Sequence, residues 1–194
     1  MKIKAIIFDI GGVLTEDSLK NEFFKKWTGT KENKNKTKEL RTQFGSGNMS
    51  IEEFISQGSK LMDMDEATFL SEYNKAYGTM NPRKSVYKLF LNLKIPKYIL
   101  SDTNPIHAPL LKKNLKDIFS SANAVWLSNE IKMRKVDSAI FKFVINEIKL
   151  PSEQILFIDN NEEIIEIAKN TGINTILYKN DKQLFRDLKK SGVK

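Results

Sequence analysis

Short apolar runs that stop on polar residues recur along this chain, with amphipathic stretches between them. The first is AIIFD (5–9), four apolar residues leading to the carboxylate of Asp9 and then to Gly11 and Gly12. YILSD (98–102), AVWLS (124–128), ILFID (155–159) and NTILYK (174–179) repeat the form. Compact apolar runs of this kind mark strands buried on both faces, as in a parallel sheet. Val86, Leu89, Phe90 and Leu93 lie at i, i+3, i+4 and i+7, and Ile140, Phe141, Val144, Ile145 and Ile148 also form a helical stripe. Alternating strands and helices predict an α/β fold: a doubly wound parallel sheet with right-handed crossovers and helices on both faces.

The stretch between the first two runs breaks this rhythm. Leu19, Phe23, Phe24 and Trp27 predict a helical stretch over 15–27, whereas TKENKNKTKEL (30–40) is almost wholly polar and reads as a mobile loop or the exposed start of a helix. GSGNMS (45–50) is a turn, and Ser50 stands three residues before Glu53, the spacing of a capping box, ahead of Phe54, Ile55 and Leu61. Asp65 caps a further helix with Phe69, Leu70, Tyr73 and Tyr77 on one side, and Pro82 begins the return to the sheet. The expected organisation is a sheet domain made of residues 1–14 and 82–194, with residues 15–81 inserted as a helical cap.

Composition narrows the chemistry. The chain has 194 residues, enough for one domain with an insertion, and no cysteine, which excludes disulfides, thiolate zinc sites and cysteine nucleophiles. It shows no long apolar leader and no apolar run long enough to span a membrane, so a cytoplasmic location without membrane association is the expectation. The formal charge of +8 favours an anionic partner. Only four of the 32 basic residues are arginines, and the lysines are scattered rather than gathered with aromatics, which disfavours nucleic acid and suits a small phosphorylated metabolite. Nothing in the sequence sets an oligomeric state.

In doubly wound sheets ligands bind outside the carboxyl ends of the strands. That rule brings Asp9, Ser101, Asp102 and Asp159 to one edge, within reach of Lys135 in the segment KMRKVDS. Two carboxylates, a hydroxyl and a lysine make a phosphoryl-transfer site: magnesium takes one or two carboxylates plus phosphate and water, and an aspartate can attack phosphorus. Ser101 and nearby backbone amides would hold phosphate oxygens, and Lys135 would neutralise their charge. Gly11 and Gly12 would let the backbone approach a bound anion closely.

Four segments in order, FDIGGV at Asp9, ILSDTN at Ser101, MRK at Lys135 and FIDNNEE at Asp159, resemble the four motifs of the haloacid dehalogenase-like superfamily, whose members are mostly phosphatases. The resemblance spans nearly the whole chain, including the small helical cap, and looks closest to the alpha-glucose-1-phosphatase-like sugar-phosphate phosphatases. It implies a Rossmann-like core, Asp9 as nucleophile, and Ser101 and Lys135 as its catalytic partners. It also implies substrate contacts from Gly11, Gly12, Ser101, Asp102, Thr103, Asn104 and Lys135, and a magnesium ion on Asp9, the Gly11 carbonyl, Asp159 and Asn160.

Two positions depart from the pattern. Gly11 stands where such phosphatases carry the aspartate that protonates the leaving group, and Asn160 stands where a second acid follows Asp159. The first favours good leaving groups such as an anomeric phosphate. Asp102 and His107 are the candidate replacement acids, unless Asp102 is a turn or cap residue and His107 a surface helix residue. Glu162 and Glu163 either compensate for Asn160 or simply begin a helix. A metal-independent 2-haloacid dehalogenase, and a catalytically weak protein that binds a phosphorylated ligand, remain as alternative readings.

Overall fold

The structure, a computed structural model, describes residues 2–16, 22–28, 31–77 and 80–193. In chain order its elements are β1 (Ala5–Phe8), α1 (Glu22–Thr28), α2 (Lys31–Gly45), α3 (Ile51–Met62), α4 (Glu66–Tyr77), α5 (Lys84–Asn92) and β2 (Lys97–Ser101), followed by α6 (Ala108–Asn114), α7 (Lys116–Ser121), β3 (Ala124–Leu127), α8 (Ser128–Ile131) and α9 (Ala139–Ile148). β4 (Ile155–Asp159), α10 (Glu162–Lys169), β5 (Asn174–Leu177) and α11 (Asp181–Lys190) complete it.

The strands form one parallel sheet in the order β3-β2-β1-β4-β5. β1 is central, with Phe8 in register with Ile99 of β2 and Ile158 of β4, so Asp9 leaves the sheet at its middle. Side chains alternate across the sheet as strand geometry requires. Ile6 and Phe8 face Val86 and Phe90 of α5, Leu111 of α6, Ile118 of α7, and Leu184 and Leu188 of α11. Ala5 and Ile7 face the opposite layer, where Ile140, Phe141 and Val144 of α9 meet Ile164, Ile165 and Ala168 of α10. Every residue of β1 is inaccessible to solvent, and each fully buried Ile or Phe contributes about 1.5–3 kcal/mol. This is the doubly wound fold the strand and helix pattern predicts.

Helices α1 to α4 gather around their own aromatic cluster of Phe24, Trp27, Phe44, Phe54, Phe69 and Tyr73. Phe44 and Phe54 stack with centroids 3.8 Å apart, and Gly58 gives Phe69 its place, since a Cβ there would lie 2.2 Å from the Phe69 ring. Ser50 accepts a hydrogen bond from Glu53 N at 3.1 Å and Asp65 accepts one from Thr68 N at 2.9 Å, the two caps expected from the sequence.

One expectation in this region changes, and one pair of alternatives is decided. Thr15 is not helical: it forms an isolated antiparallel bridge with Pro82, tying the two crossings between sheet and insertion together, and the described helix starts at Glu22. Leu19 and Thr30 lie outside the described residues. The polar stretch 31–40 is part of helix α2 rather than a loop, because it continues into Leu40 and Phe44, which are buried, and Thr37 donates to the Trp27 carbonyl at 3.2 Å. Among the described residues no helix is long and apolar enough to cross a membrane.

Candidate active site

The chain leaves β1 at Asp9 and winds through a single wide turn, Ile10–Leu14, closed by Thr15 N donating to Ile10 O at 2.9 Å. Its two glycines differ. Gly12 has φ +79°, and a Cβ there would lie 2.2 Å from Nδ2 of Asn160, so the turn after β1 fits the turn after β4 only without a side chain. Gly11 has φ −67° and ψ 119°, open to any residue, and a Cβ there would meet nothing within 4 Å. The missing acid at position 11 is therefore a chemical difference and not a steric necessity.

The floor of the site is a buried charge cluster. Nζ of Lys135 lies 2.8 Å from Oδ1 of Asp9 and 2.6 Å from Oδ2 of Asp159, bridging the ends of the two neighbouring strands. Asp159 Oδ1 accepts from Asn161 N at 2.8 Å, so each of its oxygens has a partner. Burial foremost pushes Asp9 up to about 7; Lys135 pulls it down and Asp159 raises it further. Burial alone would lower the Lys135 pKa, but Asp159, Asp9 and Asp102 override it and hold the ammonium firmly protonated. With Asp9 ionised, two carboxylates stand against one lysine and the buried cluster carries one negative charge in excess.

Beside it, Asp102 Oδ2 takes Nη2 and Nε of Arg134 at 3.1 and 3.2 Å, and Oδ1 accepts from Lys135 N at 3.1 Å. Asp102 thus orients the segment that carries Lys135 and is neutralised by Arg134, a positioning role close to the turn or cap reading. Arg134 also reaches Thr42 Oγ1 of α2 at 3.2 Å. The C-terminal end of α2 is held by Ser128 as well, whose hydroxyl donates to Gly45 O at 2.7 Å and accepts from Thr103 N at 3.0 Å.

A cavity of about 530 Å³ opens above the cluster. Of the residues singled out in the sequence, Asp9, Gly11, Asp102, Thr103, Asn104, Lys135, Asp159 and Asn160 line it. Ser101 ends β2 and is buried, and Gly12 packs on Asn160; neither forms part of the lining. Asn104 is largely occupied: its amide nitrogen lies 3.2 and 3.4 Å from the hydroxyls of Tyr73 and Tyr77 and 3.0 Å from Nδ1 of His107, sharing its two hydrogens among them, and its carbonyl accepts from Ile106 N.

His107 is not the surface helix residue that the sequence allowed. It is fully buried and stacked on Tyr77 with centroids 3.6 Å apart, and burial lowers its pKa to about 3. A histidine kept neutral over the physiological range is a poor replacement for the missing acid. Glu162 and Glu163 lie in the first turn of α10, capped by Asn161, as a helix start would place them, although Glu162 also lines the cavity.

Sequence reasoning did not single out the residues that α2 and α4 contribute: Arg41, Phe44, Tyr73 and Tyr77 all line the cavity, as does Arg134. The aromatics were legible only as core. The one available signal was the rarity of arginine in a lysine-rich chain.

Among the described residues no group of three or more acidic, histidine or cysteine side chains comes together. The oxygens at hand are the Asp9 and Asp159 carboxylates, the Asn160 amide and the Gly11 carbonyl, all hard donors suited to magnesium. The excess negative charge and the raised pKa of Asp9 are what a bound dication would relieve. The residues fit the ion, with one fewer carboxylate than usual.

The haloacid dehalogenase-like hydrolase family matches the chain over residues 3–172. A D-ribitol-5-phosphate phosphatase of Bacteroides thetaiotaomicron is 27% identical over 195 residues, 92% of this chain and 93% of that one. A haloacid dehalogenase-family enzyme from the same organism, solved with magnesium and inorganic phosphate, superposes with a TM-score of 0.72 at 26% identity and covers 95% of this chain and all 100% of its own. An L-2-haloacid dehalogenase from Xanthobacter autotrophicus, 18% identical, shares the fold with a TM-score of 0.63, covering 99% of this chain and 84% of its own.

Proposed function

This chain belongs to the haloacid dehalogenase-like hydrolases, and from that premise we propose that it is a magnesium-dependent phosphatase of a small phosphorylated metabolite, a sugar or polyol phosphate, working through an aspartyl-phosphate on Asp9. The observation that carries the reading is the buried bridge of Lys135 between Asp9 and Asp159 at the floor of a cavity that the sheet edge and helices α2 and α4 line together. The likeness to a phosphatase and to a magnesium and phosphate complex supports it.

In this reading residues 15–81 act as the cap and the remainder as the catalytic core. Asp9, the Gly11 carbonyl and Asn160, with Asp159, would hold magnesium, which supplies charge neutralisation to the phosphoryl oxygens. Asp9 attacks phosphorus as the bond from phosphorus to the ester oxygen breaks; water then cleaves the acyl phosphate and releases inorganic phosphate. Lys135 keeps Asp9 and the phosphoryl group together by balancing negative charge on both. Thr103, which lines the cavity, and the backbone after β2 would face the phosphate end, with Ser101 buried behind them at the end of β2. Gly11 provides no proton, so the departing oxygen must leave as a good leaving group or take its proton from solvent.

The test is phosphate release at millimolar magnesium from p-nitrophenyl phosphate and a panel of sugar and polyol phosphates. Turnover that is lost in EDTA and in Asp9→Asn is the expected result. Silence across the panel, or halide release from a 2-haloacid unaffected by chelator, would overturn it.

A further inference from the structure

Arginine is scarce in this chain, four residues among 32 basic ones, yet two of the four line the cavity over Asp9. Every cation of the floor has a carboxylate: Lys135 has Asp9 and Asp159, and Arg134 has Asp102. Arg41 is different. It belongs to the part of the lining that α2 contributes, half-buried, with its guanidinium carbon 5.5 Å from the centroid of Phe24 and no ion pair among the described residues. Phe44, Tyr73 and Tyr77 also line the cavity, and while burial and Tyr77 hold the Tyr73 phenol well above its ordinary pKa, Arg41 is near enough to offset a small part of that rise. The remaining acid of the lining, Glu162, is exposed in the first turn of α10, where the helix terminus answers its charge.

A partly buried guanidinium without a carboxylate among the described residues, set among aromatic rings, costs free energy until an anion takes up its planar donors. The phosphate to be cleaved is served from the floor, by Lys135 and the metal. We infer that Arg41 reads a second oxyanion, a carboxylate or a phosphate, at the far end of the leaving group, so that the substrates of this site are phosphorylated metabolites carrying two anionic groups. This deepens the phosphatase reading and rests on it. It also separates this chain's substrates from a simple polyol monophosphate, whose far end offers only hydroxyls.

The experiment measures binding by calorimetry to full-length Asp9→Asn protein in magnesium, using three probes on one scaffold: α-D-glucose 1-phosphate, its 6-phosphorylated counterpart, and the corresponding 6-carboxylate. The expected result is that at least one doubly anionic probe binds about ten- to a hundredfold tighter than the monophosphate, the strength of a charge-assisted hydrogen-bonded pair. Which of the two gains identifies phosphate or carboxylate as the group read. Adding Arg41→Gln should remove most of the preference, and Arg41→Lys, which keeps the charge but loses the fork, should retain part of it, each with an unchanged far-ultraviolet spectrum. Equal binding of all three probes, no binding of any, or a preference that survives Arg41→Gln would overturn the inference. Wild-type turnover of p-nitrophenyl phosphate separates the two readings. Turnover without an oxyanion preference removes only the role of Arg41; an oxyanion preference without turnover of any phosphate supports Arg41 and removes the phosphatase.

Discussion

Gly11 and Gly12 are neighbours with opposite constraints, and the difference lies in two numbers. Gly12 is held by a positive φ and by the side chain of Asn160, whereas Gly11 has an ordinary extended conformation and open space where a Cβ would stand. Gly11→Asp is therefore expected to fold normally and to raise kcat on alkyl phosphates, whose alkoxides leave poorly. General acid catalysis is typically worth about 10²–10⁴-fold, and a transplanted acid should recover the lower end. Comparing kcat for p-nitrophenyl phosphate and a sugar 6-phosphate checks this: the gain belongs to the second substrate and is small for the first. Equal change in both would show that position 11 does not meet the leaving oxygen. Gly12→Ala, by contrast, forces Asn160 aside and should lower stability with no gain on either substrate.

At the scale of elements, α2 joins the two halves of the cavity. Its C-terminal end is fixed by Ser128 at Gly45 and by Arg134 at Thr42, and Gly47 lets it pass so close to α8 that a Cβ would lie 2.3 Å from Asn129 O. Ser128 is fully buried and joins α2 to the loop after β2 through Thr103. Ser128→Ala leaves the Gly45 carbonyl and the Thr103 amide each short of a partner, a cost of about 1–3 kcal/mol for buried groups left unsatisfied. The expected outcome is a lower melting temperature and a higher KM with kcat less affected, since the wall formed by α2 loosens while the Lys135 bridge stays. A fall in kcat alone would contradict this.

Over the whole molecule the fully buried His107 sets an acid limit. Its pKa lies at about 3 in the folded protein against 6.5 for a free imidazole, because burial opposes the charge. Between those values the unfolded chain carries a proton that the folded chain does not, so stability rises with pH across the window and is lost on acidification below about 6.5. One such proton is worth up to about 1.4 kcal/mol per pH unit. Denaturant unfolding from pH 4 to pH 7 should show a shallower slope for His107→Gln than for wild type, even though the variant is less stable overall through loss of the Tyr77 stack. Parallel slopes would mean that the ring is protonated in the folded state.

The sheet and the residues at its edge were determined by the sequence itself. Strands buried on both faces must be apolar, helices covering them must be amphipathic, and both periods are local properties written in runs such as 5–9 and 155–159. Because parallel strands all present their carboxyl ends to one side, the acids that end β1 and β4 had to meet, however far apart in the chain. The four motif segments carried the family for the same reason. What only the tertiary structure decided were the contacts across elements. The bridge of Lys135, the burial of His107 against Tyr77, the capture of Asp102 by Arg134, and the projection of Arg41 into the cavity depend on how helices of similar polarity are docked and turned. In the sequence, Tyr73 and Tyr77 could be read only as one helix side and Arg41 as one more basic residue. Periodicity fixes which face of a helix is covered, but not what covers it.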